Sequence, residues 1–347
     1  VFALASRFAP APPRVPAVAK GALILVAVGV AIAAIMAAEP RERFETFKQT
    51  PAGLETSIES HLFSTSGNGR WQMWTSAVDQ FEADPVLGQG AGSYEAWWAQ
   101  HGTIALFIRD AHSLYLEVLG ELGVVGLALL LALFAFVAAA GVRRLLAADH
   151  DERPAVAALL ALLVAYAFEA GVDWMWEVPA VSLIAFACAG LVTGPATIFP
   201  DEAGFSRTRT RRQRSARAFR AAGVVLALGL MLAQAVPFLA SIKIEQSREA
   251  VAAGQLEDAL ADALAAREIQ PWAATPHLQI ALVYETAGDF EAAWSSIEAA
   301  IEHDRLDWRL WVIGARIQTK AGAFDEAEAS LDRAVALNPR SPLLAGL

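Results

Sequence analysis

A histidine, two arginines and several carboxylates in the first half of this sequence have the types and spacing that chemistry needs. His112 stands in IRDAHSLYLEVLGELGVVG, and an imidazole exchanges a proton near neutral pH, which suits a general base. Arg109, three residues earlier, and Arg70, at the head of RWQMWTSAVDQF, present planar forks of donors that match phosphate oxygens. Each has a plainer reading: a lone histidine is more often structural, and Arg109 serves equally as an interfacial anchor. Tyr115, Glu117 and Glu121 follow His112 on the same predicted helix. Asp173 and Glu177 in DWMWEVP, with Glu169 a turn before them, are either accessory site groups or a structural polar pair, since an ionisable group at the membrane is costly unless paired or wet. Gly88, Gly90 and Gly92 make a GxGxG run. The dinucleotide fingerprint needs a preceding strand and a βαβ setting, so a tight turn is expected here, with exposed amides still able to meet a diphosphate.

The elements that must hold these residues are helices in lipid. Of 347 residues, 56% are apolar, and five stretches are long enough to cross a hydrocarbon core, which takes about 20 helical residues. They run Val18 to Ala38, Leu119 to Val142, Pro154 to Val172, Val178 to Phe199 and Ala218 to Ser241. Basic residues near span ends stay cytoplasmic. Arg7, Arg14 and Lys20, then Arg143, Arg144 and Arg153, then the arginine-rich loop 200–217 fall on one side in an alternating topology. That puts residues 1–17 inside. The loop 39–114, the turn around Asp173 and everything from 242 onward face the other side. The opening Val1 suggests a fragment preceded by further helices, and the first span is too long for a cleaved signal. The net charge of −10 averages unlike regions and gives no reason to expect nucleic acid. Cys188, the lone cysteine, can form no intrachain disulfide and reads as a packing residue.

Within the outer loop, Trp71, Trp74, Ala77, Val78 and Phe81 share one helical face, predicting a helix over 70–81 that lies at the interface and is broken by Asp84 and Pro85. Trp174 and Trp176 read as interfacial belt residues. From Ile242 the sequence repeats. Gly254, Gly288 and Gly322 are spaced by 34 residues and open the phrases GQLEDAL, GDFEAAW and GAFDEAE. Pro271 and Pro339 end helices two periods apart. The pattern resembles the tetratricopeptide repeat, in which Leu256, Phe290 and Phe324 pack between paired helices and Ala259, Ala293 and Ala327 let them approach. Trp272, Trp308 and Trp311 are available to that core. Residues 242–347 are therefore read as an α-solenoid, either a surface for a protein partner or a cap on the membrane domain. The fifth span is expected to run into the first repeat helix, since no breaker lies between Pro237 and Gly254. The fold class is all-α: a polytopic bundle within 18–241, a helical outer loop and a repeat tail.

The ordered set Arg70-Trp71, Trp74, Ala77, PVLGQGAG, Ala111-His112, Tyr115-Leu116-Glu117, Glu121-Leu122-Gly123 and Gly126 resembles the outer loop of the O-antigen ligase and polymerase superfamily, over roughly Arg70 to Leu191. The resemblance implies a multi-pass protein of the bacterial inner membrane with loop and tail outside. It implies transfer of a glycan from an undecaprenyl-diphosphate carrier to a glycan, lipid or protein acceptor. It places the family's arginine on Arg70, holding the diphosphate, and its histidine on His112, activating the acceptor hydroxyl; Arg109 is the second candidate for diphosphate contact, beside its reading as an interfacial anchor. Ser113 stands where the family commonly has asparagine. A diphosphate leaves readily once its charge is neutralised, so neither metal, nucleotide nor other cofactor is expected. The alternative is a membrane-anchored repeat scaffold with an inactive loop.

Overall fold

The computed structural model describes residues 40–50, 67–194 and 209–345, and these are helical or irregular, without a strand. The predicted first span lies outside the described residues, as does the first half of the basic loop, 200–208, whereas 209–217 is helical and opens the helix Arg209–Ala252. The chain forms two compact units, Val1–Gln72 and Met73–Leu347. In the first, α1 (Pro40–Lys48) sets Phe44 edge-on to Trp71 at 5.6 Å, with the Lys48 ammonium over both rings and the Lys48 carbonyl accepting from Gln72 Nε2 at 2.8 Å.

α2 (Arg70–Ala83) begins after the left-handed pair Asn68 and Gly69 and stops before the Asp84-Pro85 break. Its buried residues are Gln72, Met73, Ser76, Ala77 and Gln80. On the predicted apolar face, Ala77 is buried, Trp71, Trp74 and Phe81 are half-buried, and Val78 is exposed. Two side chains of α2 are tied to the loop beyond it: Gln80 Nε2 donates to Ser93 Oγ at 2.9 Å and the Trp74 indole donates to the His112 carbonyl at 3.3 Å. α3 (Tyr94–His101) packs Tyr94 and Trp98 on Met73, Ala77 and Ala111.

α4 (Leu114–Ala147) is 34 residues long and carries a non-helical Gly123 at φ 63°. α5 (Arg153–Glu169) and α6 (Pro179–Thr193) have 17 and 15 residues. At 1.5 Å per residue they reach about 26 Å and 23 Å, less than the predicted third and fourth spans, because the chain turns out of helix at Ala170, enters again only at Pro179 and stops at Gly194. α7 (Arg209–Ala252) runs unbroken through Pro237 and Ile242, joining the last span to the repeats as expected. Among the described residues, α4 and the part of α7 from Ala221 are long and apolar enough to cross a membrane. Their most apolar windows are 6% and 0% buried, unlike the core helix of a water-soluble domain. Leu129, Phe136, Leu226, Met231 and Leu232 form surface that lipid covers at no cost. The predicted belt residue Trp174 is exposed, and Cys188 is buried, as a packing residue should be.

The tail consists of five 14-residue helices, α8 (Leu256–Ile269), α9 (Ala274–Ala287), α10 (Phe290–His303), α11 (Trp308–Ala321) and α12 (Phe324–Leu337), with the end of α7 as the first partner. Each pair closes the same way. Gly254, Gly288 and Gly322 take φ near +80°, and the N–H of the next residue reaches back to the carbonyls of Ala250, Tyr284 and Gln318 at 2.9 to 3.0 Å. A side chain strains that backbone, which explains the constant phase of the glycines. Ala259, Ala293 and Ala327 are buried as predicted, and Phe290 packs on the core around Ile297 and Ile317. Phe324 departs from the pattern: it is 67% exposed, with no further pair packed over it among the described residues. Trp272 is also exposed, whereas Trp308 is buried.

Candidate functional site

His112 is placed by the segment between α3 and α4. Ala111 is fully buried on Met73, Tyr94 and Trp98, so the chain is pinned one residue before the imidazole. His112 itself sits at φ 52°, a left-handed conformation that costs a residue other than glycine of order 1 kcal/mol or more. Asp110 holds it there: Oδ1 accepts from the His112 backbone N–H at 3.0 Å and lies 2.7 Å from Nδ1. With Nδ1–H directed to Asp110, the basic nitrogen of the neutral ring is Nε2. Burial pushes the Asp110 carboxyl up, but the His112 hydrogen bonds and the charges of His112 and Arg109 outweigh it and hold the group below the usual range.

Beneath the histidine, Glu117 is buried and accepts the Ala111 N–H through Oε2 at 2.7 Å. Glu177, from the turn Met175–Glu177 between α5 and α6, faces the same place. Burial raises its carboxyl above the ordinary value, Asp110 adds to the rise, and Arg109 and His112 oppose it. Oxygens of Asp110, Glu117 and Glu177 lie within 4.8 Å of one another, close enough to hold a cation. Asp110 and Glu117 already direct oxygens to His112 and Ala111, so protein donors occupy part of that capacity.

The glycine run has a different occupant from the one its exposed amides suggested. Gly90 N–H donates to the Glu121 carbonyl at 2.8 Å, Gly92 N–H to Glu121 Oε2 at 2.8 Å, and Tyr94 N–H to Glu121 Oε1 at 3.0 Å. The amides of Gly92 and Tyr94 thus cradle the protein's own carboxylate. A Cβ on Gly88 would strike the Glu121 carbonyl and one on Gly123 the Val86 carbonyl, and both residues have positive φ. The turn is thus keyed into the break in α4, consistent with the expected tight turn against the membrane helix.

Arg70 is half-buried at the head of α2 in the first unit, its backbone N–H donating to the Gly67 carbonyl at 2.8 Å. Arg109 is 74% exposed, with Nε 3.5 Å from Glu95. Tyr115 donates its hydroxyl to the Ala167 carbonyl at 2.7 Å, tying α4 to α5. Asp173 Oδ1 accepts from the Trp174 N–H, and Glu169 is exposed. Ser113 is buried at the start of α4. The structure therefore gathers His112, Glu177 and Arg109, with Asp110 and Glu117 added. Asp110 was legible as an aspartate two residues before an N–H it can bond; Glu117 and Glu121 offered only their place on the helix.

A family model described as O-antigen ligase matches residues 2–131, the segment that carries both Arg70 and His112. This part of the chain is thus similar to the O-antigen ligases. No curated protein matches. Similar solved structures include the first TPR domain of human RPAP3, determined by NMR, at 16% identity over 32% of this chain and 87% of that one, with a TM-score of 0.30. The N-terminal domain of stress-induced protein-1 (STI-1) from C. elegans is 20% identical over 32% and 93%, at 0.30. The type III secretion translocator chaperone SycD of Yersinia enterocolitica is 19% identical over 31% and 82%, at 0.29.

Proposed function

From the family match over residues 2–131, we propose that this protein is an inner-membrane glycosyltransferase that moves a glycan from an undecaprenyl-diphosphate carrier to an acceptor hydroxyl outside the cytoplasmic membrane. The observation that carries the reading is the 2.7 Å contact of His112 Nδ1 with Asp110, which fixes the tautomer a general base requires. The acceptor oxygen attacks the anomeric carbon while its proton passes to His112 Nε2. The bond from that carbon to the diphosphate oxygen breaks, and the electron pair leaves with the diphosphate. Direct displacement inverts the anomeric centre. The imidazolium so formed is stabilised by Asp110, while Arg70 and Arg109 are assigned to the departing charge. Guanidinium neutralisation supplies what the leaving group needs, so the reading is metal- and nucleotide-independent. Loop and repeats lie on the outer side, and 1–17, 18–241 and 242–347 are the inner segment, membrane domain and repeat domain.

The test is transfer by the full chain in proteoliposomes from a lipid-linked glycan. His112→Ala and Arg70→Ala should each lose at least about a hundredfold in rate, the range of an acid–base or charge-stabilising group. Transfer at the native rate by either variant removes the mechanism and leaves the repeat scaffold as the function.

A further inference from the structure

The repeat tail does not stand apart from the loop that carries His112. Ala99, on α3, packs on the cluster of Trp308, Leu337 and Leu344 at the far end of the solenoid. Beside this contact runs a ladder of charges. Asp307 caps α11 and binds Arg309 through Nε at 2.7 Å and Nη2 at 3.2 Å. Arg309 Nη2 reaches Glu95 Oε1 at 3.0 Å, and its guanidinium lies 5.8 Å over the Phe107 ring. Glu95 Oε2 is 3.5 Å from Arg109, three residues before His112.

The contacts of this ladder are unequal, and the inequality has a chemical use. Arg309 is 46% exposed and is held by two carboxylates, while Arg109 is 74% exposed and has one long contact to the same Glu95. Glu95 is thus turned toward the tail. We propose that Arg309 is a positioning residue of the donor site: by taking the charge of Glu95, the carboxyl-terminal repeats keep Arg109 available for the carrier diphosphate. Without Arg309 the carboxylate of Glu95 has Arg109 as its cationic partner in the ladder and competes with the diphosphate for it. The inference rests on the reading that Arg109 contacts that diphosphate.

Two features separate this role from a merely structural one. The apolar contact of Ala99 with Trp308, Leu337 and Leu344 involves none of the charges, so removing a charge leaves the docking surface in place. The competition also has a sign: deleting the competitor should reverse the effect of deleting Arg309, whereas a broken structural tie would grow worse.

The experiment measures binding of undecaprenyl diphosphate, without glycan, to the full chain in nanodiscs of phosphatidylethanolamine and phosphatidylglycerol. Arg109→Ala should weaken binding by about tenfold, the worth of one charge-assisted hydrogen bond. Arg309→Ala should weaken it by about threefold, as befits a partly exposed ion pair. The double variant Arg309→Ala/Glu95→Gln should return to within about twofold of the parent. An Arg309→Ala protein that binds like the parent while Arg109→Ala does not, or a double variant no better than Arg309→Ala, overturns the inference alone. Parent-like binding by Arg109→Ala removes the diphosphate reading, and this inference with it.

Discussion

Replacing Asp110 by Asn separates the geometry of the His112 site from its charge. The amide oxygen still accepts the His112 backbone N–H and Nδ1–H, so the left-handed turn at His112 persists. What disappears is the negative charge 2.7 Å from Nδ1, between side chains only 13% and 23% exposed and therefore weakly screened by solvent. While His112 is neutral, that charge contributes little. Once the acceptor proton reaches Nε2 it faces an imidazolium, and a hydrogen bond to a charged group at such a site is worth about 1.5 to 3 kcal/mol. Asp110→Asn should therefore lower single-turnover transfer by about 10- to 150-fold at saturating donor, with the thermal melt little changed. Donor and acceptor affinity should stay near parental values, since the loss arises in the transition state. A rate within twofold of the parent would refute the reasoning. So would a full further loss when Asp110→Asn is added to His112→Ala, because two groups acting through one imidazole cannot contribute independently.

Glu177, whose carboxyl lies above its ordinary value when folded, contributes stability that is complete below the usual glutamate range of about 4.3 and is lost as pH rises through the raised value. Glu177→Gln should accordingly gain on the parent in melting temperature as pH increases, in a detergent melt across that window; a constant difference at all pH values would show that the carboxylate carries no such cost. The depressed Asp110 carboxyl works in the opposite direction, its contribution present above the usual aspartate range and fading in acid. Glu121→Ala should cost about 2 to 3 kcal/mol in the same assay and raise amide exchange at Gly92 and Tyr94, which lose their acceptor. Unchanged exchange at those amides would mean that the glycine turn is held by something else.

The repeats were legible because their signal is backbone geometry: a left-handed turn admits glycine, so the period of 34 appears directly in the letters. The helix from Arg70 and the continuity of α7 were legible for a related reason, the presence or absence of breakers. What the letters did not carry was the choice among partners at long sequence separation. Hydrophobic period grouped Trp71, Trp74 and Phe81 on one face of α2 for the membrane interface, but it carried no sign that Gln72, Ser76 and Gln80 are the buried residues, with Gln80 bonded to Ser93. The amides of GxGxG look open to a diphosphate in the letters, yet Glu121, about thirty residues away, accepts those of Gly90 and Gly92, and Asp84 accepts that of Gly88. Glu95 carries no signal of its own; its importance comes from Arg309, more than two hundred residues later. For the third and fourth spans, apolar composition ran past the points where Ala170, Pro179 and Gly194 set the helix ends.

The unbroken helix from Arg209 to Ala252 also limits how this protein can change length. A flexible connector absorbs an added residue without displacing the next element. Inside a helix, one insertion turns everything beyond it by about 100° and advances it by about 1.5 Å. Such an insertion between the last span and the first repeat would swing Trp308 and Arg309 away from α3, whereas the loops between helix pairs could grow at little expense. Descendants of this sequence should therefore vary freely in those loops while keeping the residue count between the lipid-facing part of α7 and Gly254, or altering it only by steps near whole helical turns.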